Sequence, residues 1–261
     1  MHIRSVTTSL TVLVLITFAP LASFAQAPAQ PAAPAQPTPP PPPPGWAGSA
    51  SAGLALTQGN SDTSTVNAAY ELLRDTGGRL IVKSNGLLVY GKSEEILTSD
   101  RLALAGRLEG KLNERSAVFG QVQYLRDSFK SIDYLVAPTV GLSRVLFKDA
   151  VTELGIDGSV GVVWEQNPGF DLDMDGAVSA GQQLTRKLSA TTELKQKAGA
   201  LWVMDDFGDA LYTLIVGVAT NITSGTQMKF EFLDTFKNKP KRPEVQKNDI
   251  AILLSFVYKF D

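Results

Sequence analysis

From residue 46 to the end, apolar and polar residues alternate at period two, in segments of about ten to fourteen residues separated by turn chemistry. The clearest segment is 100–113, DRLALAGRLEGKLN. Leu102, Leu104, Leu108 and Leu112 share one parity with Gly106 and Gly110, while Arg101, Arg107, Glu109 and Lys111 share the other. Successive side chains of a strand point to opposite faces, so this segment has one apolar face and one charged face. The pattern returns at 63–74, where Val66, Ala68, Tyr70 and Leu72 oppose Asn67 and Glu71. It returns again at 117–126, 151–165, 188–202, 226–236 and 249–260, and in weaker form at 47–58, 79–91, 132–146, 174–185 and 210–223. Together these segments predict an all-β protein, an antiparallel transmembrane β-barrel of about twelve strands, an even number as in bacterial outer-membrane barrels.

The connections alternate in length. One set is short: 75–78, 113–115, 147–150, 185–187 and 223–225. The other set, 92–99, 126–133, 166–173, 203–209 and 237–246, is longer, with the short GNSD at 59–62 as its exception. Short periplasmic turns and longer outer loops are the layout of a transmembrane barrel, and both chain ends then lie on the periplasmic side. Tyr90, Tyr124, Tyr134, Trp164, Trp202, Tyr212 and Phe236 sit on the apolar face near the longer-loop ends of their segments. That is the place of an interfacial aromatic girdle. The opposite face carries Lys83, Arg107, Glu109, Lys111, Asp157, Glu193, Lys195, Lys197, Lys229 and Glu231, which are expected to face the lumen.

A soluble periplasmic barrel that binds a lipid-like ligand also alternates, with its apolar face inward. Three features favour lipid outside. The segments exceed the usual five or six residues of a soluble strand. The charges fall in mid-segment, and the aromatics cluster by depth.

Residues 1–25 read as a secretory signal peptide: Arg4, an apolar stretch, then Ser23 and Ala25 at the −3 and −1 positions. That stretch is shorter than the roughly 20 residues a membrane helix needs. Residues 26–45, almost wholly Pro, Ala and Gln, read as an extended or disordered linker. The barrel then occupies 46–261, exported to the bacterial outer membrane.

Composition narrows the chemistry. Cysteine is absent and the single histidine, His2, lies in the signal segment. Thiol nucleophiles, Ser-His-Asp catalysis and imidazole or thiolate zinc sites are therefore excluded from the mature chain. A hydrolase here would need a lysine or carboxylate base, so the expectation is a non-enzymatic protein without a cofactor. The net charge of −2 gives no field for nucleic acid. Asp171, Asp173 and Asp175 have the D-x-D-x-D-G spacing of a calcium loop, but position twelve is Gln182 rather than glutamate, and a solvated acidic loop is the alternative. Asp205, Asp206 and Asp209 lie in the next outer loop, where the two loops could hold divalent cations. Lys237, Lys239, Lys241 and Arg242 form a basic loop that could meet lipid phosphates or simply be solvated.

The start GWAGSASAGLALTQGNSDTSTVNAAYEL, with Gly59, Asn60, Ser61, Asp62 and Thr63 at its turn, resembles the YdiY-like family, described as salt-induced outer-membrane proteins with a domain of unknown function. The late Pro-containing loop, followed by Asn248, Asp249 and a closing aromatic strand, resembles it too. The resemblance runs from Trp46 to the end. It implies an outer-membrane barrel with no assigned activity: a narrow channel for small solutes or ions, or an envelope structural protein linked to osmotic or salt stress. The expected partners are outer-membrane lipid and lipopolysaccharide, with barrel-assembly machinery and periplasmic chaperones during biogenesis.

Overall fold

The computed structural model describes residues 45–58, 63–93 and 96–260. The expected signal peptide at 1–25 and nearly all of the expected linker lie outside these residues, as does the GNSD segment. Twelve strands form one closed antiparallel barrel: β1 (Trp46–Gln58), β2 (Thr63–Asp75), β3 (Leu80–Ser93), β4 (Ile96–Lys111), β5 (Ser116–Asp127), β6 (Ile132–Lys148), β7 (Thr152–Gln166), β8 (Asp173–Lys187), β9 (Thr192–Val203), β10 (Ala210–Asn221), β11 (Thr226–Lys237) and β12 (Asn248–Phe260). Each strand pairs with its neighbours in sequence. The ring closes where β1 meets β12, from Gly48 opposite Phe260 to Gln58 opposite Ile250.

Parity decides the faces as the sequence predicts. Leu104 and Leu108 of β4, and Leu112 just past its end, are exposed on the outside, whereas Arg101 and Glu109 are buried within. Val140, Val160, Phe230, Leu254 and Phe256 continue the outer apolar surface around the ring. This orientation overturns the soluble lipid-binding alternative, which needs the apolar face turned inward.

Two connections differ from expectation. The segment 92–99 reads as a loop because its charges break the alternation. Instead β3 runs into it as far as Ser93 and β4 begins within it at Ile96, past a register shift between Gly91 and Lys92 that absorbs the break. The turn expected at 185–187 belongs to β8, and the chain reverses at 188–191. There the Ser189 hydroxyl accepts hydrogen bonds from the amides of Thr191 (3.2 Å) and Thr192 (3.0 Å). In the turn before β7, the Asp149 carboxylate accepts from the amides of Val151 (2.8 Å) and Thr152 (2.6 Å), and these bonds hold it below the usual aspartate range.

On the lumen side β1 carries mostly small groups, Ala47, Ser49, Ser51 and Gly53. β6 has a proline, Pro138, in mid-strand, where it has no N–H to give to a ladder. The regular pairing with β7 skips from Val136–Trp164 to Thr139–Gly161 around it. At that step the two backbones come so close that a Cβ on Gly161 would lie 2.1 Å from the Pro138 carbonyl oxygen. Gly161→Val is therefore expected to force β6 and β7 apart and cost about 1–3 kcal/mol, as overpacking does. A lower temperature for loss of the compact, heat-modifiable gel band would register it; an unchanged one would refute the close approach.

Candidate functional site: a charged chamber beneath a packed cap

The lumen divides into two levels. Toward the end with the short turns lies a cavity of about 1300 Å³. Seven of the expected lumen charges line it: Lys83, Arg107, Glu109, Lys111, Asp157, Lys195 and Lys197. Glu193, Lys229 and Glu231 share their parity, and Lys229 pairs with Glu231 at 2.9 Å while Lys195 reaches Glu193 at 3.5 Å. On one wall Glu109 bridges Lys83 (2.8 Å) and Arg107 (2.6 Å), and the Arg107 guanidinium lies over the Phe119 ring, 3.5 Å from its centroid. Such stacking holds the cation flat against the wall. From the other side Lys197 of β9 crosses to Glu71 of β2 at 3.0 Å. β9 and β2 stand nearly opposite each other in the ring, so this pair spans the chamber. Arg115 and Lys259 line the mouth and have no carboxylate partner among the described residues.

Toward the long-loop end the lumen is filled. Leu125, Ile132, Leu135, Ala137, Val163, Ala177 and Leu201 pack as one buried cluster, and Val89, Leu233, Ala251 and Leu253 as another. Above them sits a layer of buried ions. Arg101 of β4 pairs with Asp127 at 2.8 Å and donates across the ring to the Thr235 hydroxyl of β11 at 3.0 Å. Lys237 at the end of β11 pairs with Glu165 of β7 (2.9 Å) and Asp209 (2.8 Å). Between β5 and β6 a single 3-10 turn, Ser128–Lys130, folds inward. Asp127 caps it by accepting from the amide of Phe129, and Ser131 ends it in the left-handed region at φ 53°. Its Lys130 side chain is 0% exposed and spans the lumen to Asp249 of β12 at 2.8 Å and to the carbonyls of Lys247 (2.8 Å) and Gln246 (3.2 Å) just before it. Asn167 ties the same turn to β7 by donating to the Ser131 carbonyl (2.9 Å) and to Glu165 (3.1 Å).

The acidic and basic loops pair with each other. Asp171, Asp173 and Asp175 do not wrap around a cation: among the described residues no three or more such ligands converge. β8 begins at Asp173, so the backbone is extended where a calcium loop must curl, and Lys241 pairs with Asp173 at 2.5 Å. The basic loop is likewise not a free solvated face. Lys237 is buried, Lys239 pairs with Asp206, and Arg242 donates to the Pro168 carbonyl at 2.8 Å. The hydrogen bond from Lys239 holds Asp206 below its ordinary pKa, and the one to Asp173 raises that of Lys241. Acidic and basic loops thus neutralise each other over the cap.

The seven aromatic residues expected to form a girdle lie on the outer face. Trp202, Tyr212 and Phe236 form a contiguous ring cluster with centroids 6.0 and 6.1 Å apart, and the indole of Trp202 donates to the Tyr212 hydroxyl at 3.1 Å. Tyr90, Tyr124, Tyr134 and Trp164 share their parity on β3, β5, β6 and β7.

A family model described as a protein of unknown function, DUF481, matches residues 50–260. The chain belongs to the DUF481 family. No curated protein matches it in sequence. Among solved structures the DUF481 barrel is similar to the NanC porin, at 10% identity and TM-score 0.55 over 82% of this chain and 100% of the porin. It is also similar to an outer-membrane channel from Pseudomonas putida F1, at 14% identity and TM-score 0.51 over 84% of this chain and 96% of the channel. The barrel fold of this family member is therefore that of outer-membrane channels.

Proposed function

We propose that this DUF481 protein is a bacterial outer-membrane channel for small anionic solutes, held shut by its cap. The observation that carries the reading is the chamber. Its lining cations, Lys83, Arg107, Lys111, Arg115, Lys195, Lys197 and Lys259, outnumber the anions Glu71, Glu109, Glu114, Glu153 and Asp157. Low-dielectric walls focus such a field and raise the local concentration of the opposite charge. The apolar outside and the length of the strands suit a bilayer, with the short turns and both barrel termini in the periplasm.

The test is planar-bilayer recording of the protein refolded in detergent, under a salt gradient. Discrete steps with a reversal potential on the anion side are expected. Replacing Lys195 and Lys197 with glutamate is expected to move that potential toward cations. Cation preference in the unmodified protein would overturn the anion assignment. A second reading follows from the filled upper lumen: the chamber is a dead-end receptacle that binds a periplasmic anion without passing it. Silence from both the native barrel and a variant lacking the cap's lysine strut favours that reading and rules out the channel.

A further inference from the structure

Polar side chains on the outer face of the barrel mostly satisfy one another. Tyr70 pairs with Ser84 at 3.2 Å and Thr192 with Thr220 at 3.2 Å. Two primary amides do not: Gln182 of β8 and Gln196 of β9 have no side-chain partner among the described residues. Both have the parity of the lipid-facing side chains. Their depth follows from the register. One paired row runs Arg144–Ile156–Gln182–Ala198–Leu214–Asp234, rising from near the short-turn end of β6 to near the long-loop end of β11. Gln182 stands in its middle. Gln196 stands in the next row, between Leu184 and Val216. In the row on the other side, Gly158, Ala180 and Ala200 are aligned, leaving a shallow hollow beside the amides.

Hydrocarbon offers an amide nothing to bond, and acyl chains gain nothing from a hollow lined with small residues. We propose that the outer face of β7–β9 is an interface with a second copy of this chain. A primary amide both donates and accepts. A two-fold axis along the membrane normal places the same patch on both protomers, so that Gln182 faces the partner's Gln196 and the converse holds. The hollow lets the two walls approach closely enough for those bonds to form. Lipopolysaccharide headgroups do not serve the same role, because they lie at the rim while these amides lie at mid-depth.

The inference rests on the barrel's standing in a membrane, so its test includes a check of that premise. The chain has no cysteine, which makes engineered thiols specific. Gln182→Cys combined with Gln196→Cys is expected to give an oxidised dimer in isolated outer membranes. Phe256→Cys, on the outer face of β12 away from the patch, is expected to stay monomeric. In detergent, the native chain is expected to sediment as a dimer, and the Gln182→Leu, Gln196→Leu variant as a monomer that keeps its heat-modifiable band. A native chain that is monomeric in detergent and forms no selective cross-link overturns the interface. So does a leucine variant that remains fully dimeric. A chain that folds as a soluble monomer without detergent overturns the membrane premise instead, and the two failures are distinguishable.

Discussion

Val140→Arg is expected to abolish or severely slow assembly of the barrel. Val140 is 62% exposed on the outer face. It is the central member of the paired row Val82–Leu108–Gly120–Val140–Val160–Val178–Trp202, which climbs from the short-turn end of β3 to the long-loop end of β9. A guanidinium there must sit near mid-bilayer or bend far to reach water, and such a substitution costs about 2–4 kcal/mol. The matched control is Asn85→Arg, which places the same group in the charged chamber. Refolding into detergent or lipid, followed by heat-modifiable gel migration, separates the two. Equal folding of both variants would mean that the face assignment is wrong.

The second large effect is expected at Lys130. Its ammonium is buried and bound by one carboxylate and two carbonyls from the opposite side of the lumen. Lys130→Met keeps the volume and strips the charge from Asp249 and those carbonyls. Breaking a buried pair from one side costs about 3–5 kcal/mol, mostly as the penalty on the group left behind. The loss acts on the plug as well as the strut, because Ile132, two residues on, belongs to the apolar cluster that fills the lumen. The variant is expected to melt at lower temperature and to open far more often in a bilayer. A variant that melts lower yet conducts no more than the native protein would show that the cap stabilises the barrel without gating it.

Much of this architecture is legible in the sequence because a strand's period is two and a membrane barrel enforces that period over its whole length. Arg107, Glu109, Lys195 and Lys197 could be placed inside from their parity alone. The filling of the upper lumen could not. Leu125, Leu135, Val163 and Leu201 have lumen parity, but nothing in a linear pattern says which inward residues meet across the ring. That depends on shear and on which strands stand opposite. Lys130 was hidden for a related reason: it lies in a connection, where charge normally signals solvent, and only the inward fold of one 3-10 turn buries it. The mutual pairing of the basic and acidic loops, Lys241 with Asp173 and Lys239 with Asp206, joins segments more than 30 residues apart, and no local pattern marks it. The Asp171–Asp173–Asp175 spacing fixes which residues are near in sequence, while carboxylates converge only if the backbone curls, and from Asp173 onward it is extended.

The seam between β1 and β12 has a consequence for how the ring breathes. Because β1 offers the lumen little beyond methyl, hydroxymethyl and hydrogen, it is held largely by its two backbone ladders. Local opening takes the path with the fewest buried side chains to expose. Amide hydrogens of β1 and the facing edge of β12 are therefore expected to exchange with solvent deuterium ahead of those in β5–β7, whose inward residues anchor the plug. The barrel has no edge in its closed form, but this is where a transient one forms.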